Sequence, residues 1–204
     1  MSQFKSKKKT IVFDLDGTLS DFERIDHEII EKLFPNSKLV KFVDKIAWFV
    51  NKKDILKNTM PILILRLVLY AIISGKNVKE ILNMYRQQYF LKTYDSLKKI
   101  YPQLVTLYSK YRVRIISNNK YSKGIQYKKS KVKYMNSKLK FVNCLKKNNH
   151  DIVYVVGNNL CDDILTAKLS NNKSIYIGKN KFIKFISNET FENINSVIDF
   201  FYDL

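Results

Sequence analysis

Thr10-Ile11-Val12-Phe13-Asp14-Leu15-Asp16-Gly17-Thr18-Leu19 is the stretch on which the fold turns. Ile11, Val12 and Phe13 form an unbroken apolar run, as expected of a short strand buried on both faces. The run predicts strand one over residues 11–16. Asp14 and Asp16 stand one residue apart, with Gly17 and Thr18 just behind. Acids that close a buried strand lie at its carboxyl end, where open α/β sheets bind their ligands. Two carboxylates so close repel unless a cation or a shared proton offsets them. Hard oxygen donors at that density suit Mg²⁺. The plain alternative is an acidic turn after a strand, and the rest of the chain weighs against it.

Residues 20–95 read as helical almost throughout. Apolar residues recur at helical spacing over 26–33, 39–50 and 78–90, and no alternating strand pattern interrupts them. Between them lies the most apolar stretch of the chain, 60–74, with Pro61 placed for a first helical turn and Ser74-Gly75 for its end. It is shorter than the roughly 20 residues that span a bilayer, and Arg66 interrupts it, so a helix buried or facing substrate is expected. Shallow membrane contact is the alternative.

After residue 95 helices and strands alternate. A helix over 94–111 leads into a strand over 112–117. A helix over 138–148 leads into a strand over 151–157. A helix over 162–169, a strand over 174–178 and a helix over 191–202 complete the chain. That alternation predicts a parallel, doubly wound sheet with right-handed crossovers.

With these segments in order, Asp14-Leu15-Asp16-Gly17-Thr18 resembles the first motif of the haloacid-dehalogenase-like hydrolases, most of them Mg²⁺-dependent phosphatases. The resemblance implies an α/β fold with a doubly wound parallel, Rossmann-like core over 1–19 and 95–204. It also implies an all-helical cap, 20–94, inserted after strand 1. It implies that Asp14 is a nucleophile forming an aspartyl-phosphate and Asp16 the general acid and base. Gly17 and Thr18 complete that loop as substrate-binding residues. Ser117-Asn118, behind the strand at 112–117, is similar to the family's second motif. It places Ser117 among the catalytic residues, with Asn118 binding substrate.

The third motif is a lysine. Lys128, Lys129, Lys131, Lys133, Lys138 and Lys140 compete for it. Lys138 is preferred because it opens a helical segment twenty positions before Asn158, a spacing similar to that of the phosphoserine-phosphatase-like branch. Lys133 is the second choice. The fourth motif resembles Gly157-Asn158-Asn159-Leu160-Cys161-Asp162-Asp163. It implies a metal set of Asp14, Asp16, Asn158 and Asp163, with Asp162 as the alternative at a shorter spacing. Asn158 departs from the pattern, since the family usually carries an acid there. An amide offers an oxygen to a metal without charge, which lowers its expected affinity.

Composition sets the outer bounds. The chain has 204 residues, 46% of them hydrophobic, enough for a sizeable core and too many for disorder. Five glycines and three prolines leave little room for long flexible linkers. Cys144 and Cys161 show no metal or disulfide spacing, which points to a reducing, cytoplasmic compartment, and no secretory leader is evident. A net charge of +19 favours anionic partners: a small phosphorylated substrate, a nucleotide, or nucleic acid. Lys120 to Lys140 is the densest basic run, with Tyr121, Tyr127 and Tyr134 interleaved, a pattern that can follow a nucleic-acid backbone. The expected function is a Mg²⁺-dependent phosphomonoesterase. The alternative is a non-catalytic binding protein on the same fold, its basic surface associated with nucleic acid or ribonucleoprotein.

Overall fold

In the computed structural model, described over residues 9–51, 60–147 and 153–204, a seven-stranded sheet carries the chain. The expected helix end at Asn148 and the strand start expected at Asp151 lie outside those residues. The strands are β1 (Thr10–Asp14), β2 (Arg112–Ser117), β3 (Gln126–Tyr127), β4 (Ser130–Tyr134), β5 (Val153–Gly157), β6 (Lys173–Ile177) and β7 (Glu189–Phe191). Their order across the sheet is β3-β4-β2-β1-β5-β6-β7. Neighbours are parallel except at the β3–β4 edge, which is an antiparallel hairpin.

β1 is central and buried at every position, as its unbroken apolar run requires. The chain lays β2 and β4 to one side of it, then returns to lay β5, β6 and β7 to the other. The reversal leaves a crevice at the carboxyl end of β1, the place where such sheets bind ligands.

Among the described residues four helices lie between β1 and β2: α1 (Phe22–Leu33), α2 (Lys38–Asn51), α3 (Met60–Ile73) and α4 (Val78–Lys110). The break expected between 90 and 94 is absent, so α4 runs 33 residues from the helical insert down to the sheet. Helical periodicity continues through Leu91–Thr93 with no glycine to stop it, and Pro102 is accommodated inside the helix. Buried tyrosines and leucines along one stripe, from Tyr85 and Tyr89 to Leu97, Leu104 and Leu107, hold α4 to the core.

Arg66, which interrupted the apolar stretch of α3, is the hub of a buried polar network. Its guanidinium hydrogen-bonds Asp26 of α1 and lies 3.7 Å from Asp44 of α2. Tyr85 of α4 donates to Asp26, and Tyr70 of α3 donates to Asp44 at 2.8 Å. All four helices therefore share one set of charges. A buried ion pair is worth little in net stability, because the cost of desolvating both charges offsets much of their attraction.

The remaining helices are α5 (Lys138–Lys147), α6 (Leu165–Leu169), α7 (Lys181–Ile186) and α8 (Ile194–Asp203). Sequence patterning left β3, β4, β7 and α7 unassigned. β3, β7 and α7 span two, three and six residues, too few for a period to show. β4 reads Ser-Lys-Val-Lys-Tyr, which resembled a stretch of the basic run rather than a strand. β7 takes only Phe191 from the helix expected over 191–202, and that helix begins instead at Ile194. No helix among the described residues is long and apolar enough to cross a membrane.

Candidate active site

β1 ends on Asp14, and the chain turns sharply behind it. Leu15 O accepts from Leu19 N and Ser20 N at 3.0 and 2.9 Å, and Gly17 N donates to Ser20 O at 2.7 Å. Gly17 has φ +80°, and a Cβ there would lie 2.1 Å from Asn158 Nδ2. Glycine thus permits both the turn and the close approach of the β5 loop. Gly157, at the end of β5, makes room in the same way. A Cβ on it would lie 2.1 Å from the carboxyl carbon of Asp163.

Lys138 is the first residue of α5 and is buried. Its Nζ donates to Asp14 Oδ1 and to Asp163 Oδ1, at 2.7 Å each. Burial alone would lower the Lys138 ammonium, but the two carboxylates more than offset it and hold the proton on. Lys133 stands elsewhere, on β4, with Nζ 4.9 Å over the Phe141 ring.

Asp16 carries a hydroxyl on each carboxylate oxygen. Tyr89 of α4 donates to Oδ1 at 2.7 Å, and Ser117 at the end of β2 donates to Oδ2 at 3.1 Å. Burial raises the Asp16 carboxyl, with both hydroxyls opposing. Burial likewise raises Asp14 well above the ordinary range, against the pull of Lys138. Two buried carboxylates, Asp14 and Asp163, thus share one ammonium, with the half-buried Asp16 two residues along the loop.

Two residues sit differently from expectation. Ser117, expected among the catalytic residues, is buried with its hydroxyl turned onto Asp16 rather than into the cleft, while accepting from Asn119 N at 3.0 Å. Asp163 was expected on the metal; both its oxygens are taken, by Lys138 and by Asn159 N at 3.0 Å, and it does not line the cleft. A single turn of π-helix, Leu160–Ile164, sets the acids apart, turning Asp163 inward and Asp162 toward the cleft. Asp162 accepts from Asn118 Nδ2 at 2.8 Å. Tyr89 is a site residue that patterning missed, because an aromatic at helical spacing reads as ordinary core.

The cleft over these groups measures about 500 Å³. Asp14, Asp16, Gly17, Thr18, Asn118, Lys138, Asn158 and Asp162 all line it, with Leu63 of α3 contributing from the helical side. The Thr18 hydroxyl is buried and finds no hydrogen-bond partner among the described residues. A buried, unmatched donor on a cleft wall suits an incoming oxygen ligand.

A magnesium ion fits the donor set in kind. Every candidate ligand is oxygen, and acids outnumber the buried cation. Among the described residues no three His, Cys, Asp or Glu side chains form a metal cluster, and Asn158 stands where a further acid would. Mg²⁺ commonly takes only one or two carboxylates and completes its shell with water and substrate oxygens.

No family model matches the chain, and no curated protein matches it in sequence. Solved structures match it in shape. The HAD-hydrolase YfnB from Bacillus subtilis, in a structure bound to magnesium, superposes with a TM-score of 0.67 at 14% identity, over 97% of this chain and 100% of that one. A haloacid dehalogenase-like hydrolase from Burkholderia xenovorans LB400 gives 0.62 at 12% identity, over 94% and 98%. A 2-haloacid dehalogenase from Pseudomonas syringae pv. Tomato DC3000 gives 0.55 at 15% identity, over 96% and 99%. At these identities the likeness is one of fold.

Proposed function

We propose, for a chain with the fold of the haloacid-dehalogenase-like hydrolases, that it is a Mg²⁺-dependent phosphomonoesterase working through an aspartyl-phosphate. One observation carries the reading: Asp14 and Asp163 share the Lys138 ammonium while Asp16, two residues from Asp14, is held separately by Tyr89 and Ser117. Two carboxylates on one strand end thus have different environments, as a nucleophile and an acid require.

In the first step an Asp14 oxygen attacks phosphorus and the bond to the leaving oxygen breaks. Asp16, its proton affinity raised by burial, gives its proton to that oxygen. In the second step water attacks phosphorus and yields a proton to Asp16. The bond between Asp14 and phosphorus breaks, releasing inorganic phosphate. Lys138, Asn118 and the Thr18 hydroxyl would hold the phosphoryl oxygens. Ser117 and Tyr89 orient Asp16. Asp14, Asp162 and Asn158 would hold Mg²⁺ beside Asp16. When bound, the ion supplies positive charge against the phosphoryl group and the surplus carboxylates. Helices α1–α4, with Leu63 at the cleft, act as the cap that excludes water and selects substrate.

The test is a phosphate-release screen over small phosphomonoesters and nucleotides, with and without Mg²⁺. Mg²⁺-dependent release that Asp14→Asn removes supports the reading. No release from any substrate counts against it.

A further inference from the structure

Residues 96–150 hold 13 lysines and two arginines and no Asp or Glu, so all 18 acids of the chain fall outside them. A merely lysine-rich composition would scatter its acids through the chain. The fold gathers this stretch at one end of the sheet, in β2, β3, β4 and the loops and helix around them.

The strands then place the cations side by side. On β2 the burial alternates, with Arg112 and Arg114 exposed about buried Val113; on β4 Lys131 and Lys133 flank buried Val132 in the same way. Val113, Ile115 and Val132 belong to the main core, so the four cations lie on the opposite face. Parallel pairing of Ile115 with Val132 sets Arg114 beside Lys131, on strands roughly 5 Å apart. Lys129 follows at the hairpin turn, while Lys128 beside it turns toward α4, over the rings of Tyr101 and Tyr127 at 5.2 and 5.6 Å. Like charges opposed across a sheet destabilise it. A polyanion lying along the strands would reverse that sign.

We infer that this face binds the phosphate backbone of a nucleic-acid strand. The exposed cations run ~7 Å along the strands, from Arg112 to Arg114 on β2 and from Lys131 to Lys133 on β4, room for about two phosphates of one strand, and Lys129 at the hairpin turn extends them. An anionic membrane is the less suited partner. Bilayer docking needs apolar anchors, and among the described residues no large exposed hydrophobic side chain falls between Val105 and Leu165. The inference stands apart from the phosphatase reading, because none of these cations is assigned a catalytic role.

The experiment is fluorescence anisotropy of a labelled single-stranded oligonucleotide of about 20 nucleotides, titrated across salt. The triple variant Arg114→Glu/Lys129→Glu/Lys131→Glu should weaken binding at low salt by about tenfold or more and cut the salt slope by about 2. A control with equal charge change on the other side, Lys168→Glu/Lys181→Glu/Lys184→Glu, should keep most of the binding. Equal loss in the control would reduce the effect to net charge and overturn the inference. So would wild-type protein that fails to bind, a triple variant that binds as wild type, or lysine-dependent binding to phosphatidylserine vesicles without binding to the oligonucleotide. A wild-type footprint covers the case of a misfolded variant. Bound oligonucleotide should shield Lys129 and Lys131 from amine acylation, and unchanged labelling would count against the site. Release of phosphate from a small ester should be the same in the triple variant.

Discussion

Tyr89, from the middle of α4, donates its hydroxyl hydrogen to Asp16 Oδ1 at 2.7 Å. The tyrosine is fully buried, and its phenol is pushed well above its usual range by burial and by the facing carboxylate. It is therefore a donor, never a base, at any ordinary pH. Since α4 extends from the helical insert down to the sheet, the bond ties the orientation of Asp16 to the seating of those helices.

Tyr89→Phe removes one oxygen and keeps the ring. A hydrogen bond to a charged group is worth about 1.5–3 kcal/mol, so the variant should fold with modest loss of stability. Asp16 would lose the donor that fixes Oδ1 and keep Ser117 on Oδ2. We expect kcat to fall about tenfold, a barrier change near 1.4 kcal/mol, with KM little changed. Steady-state kinetics on any accepted phosphomonoester check this. A rise in KM at constant kcat would make Tyr89 a substrate contact instead.

Lys138→Met should cost far more. Asp14 and Asp163 would both lose their ammonium while buried, a situation that typically costs about 3–5 kcal/mol. Adding Asp163→Leu should recover some of the loss, because one stranded charge is then gone. Denaturant unfolding of both single variants and the double variant gives the coupling. Strict additivity would show that Lys138 and Asp163 do not depend on each other.

Arg66→Met tests the helical insert. It strands Asp26 and Asp44 without their cation, so a loss of about 3–5 kcal/mol is expected, though the residue is remote from Asp14 in the chain. Asp26→Asn/Asp44→Asn in the same background should restore much of it. Thermal melts decide the point, and a neutral effect of Arg66→Met would mean that the network carries no structural weight.

Asn158→Asp adds a carboxylate to a cleft wall that Asp14 and Asp162 already line. Without metal the added charge should repel its neighbours and lower the melting temperature slightly. With Mg²⁺ the repulsion is offset, and stabilisation by the ion should exceed that of wild type. Melts across a Mg²⁺ titration measure it. No added stabilisation would place Asn158 away from the metal.

Much of this was legible in the sequence where a residue had no other reason to be there. Asp14 and Asp16 behind an apolar run marked β1 and the crevice. Lys138 stood out from its neighbouring lysines by opening a helix at a definite distance from Asn158. Three things stayed hidden for physical reasons. Tyr89 lies on a stripe of core aromatics, and only its height along α4 selects it. Asp162 and Asp163 exchange their expected directions through one π-turn, which periodicity does not encode. The β3–β4 hairpin is too short and too basic to show a strand pattern, so its cations read as a run rather than as a face.

The most direct measurement of the central claim is release of inorganic phosphate by wild type and by Asp14→Asn, with and without Mg²⁺, beside halide release from a 2-haloacid. The account predicts Mg²⁺-dependent phosphate release by wild type, none by a folded Asp14→Asn, and no halide. Phosphate release that survives in Asp14→Asn, or halide release in its place, would contradict it.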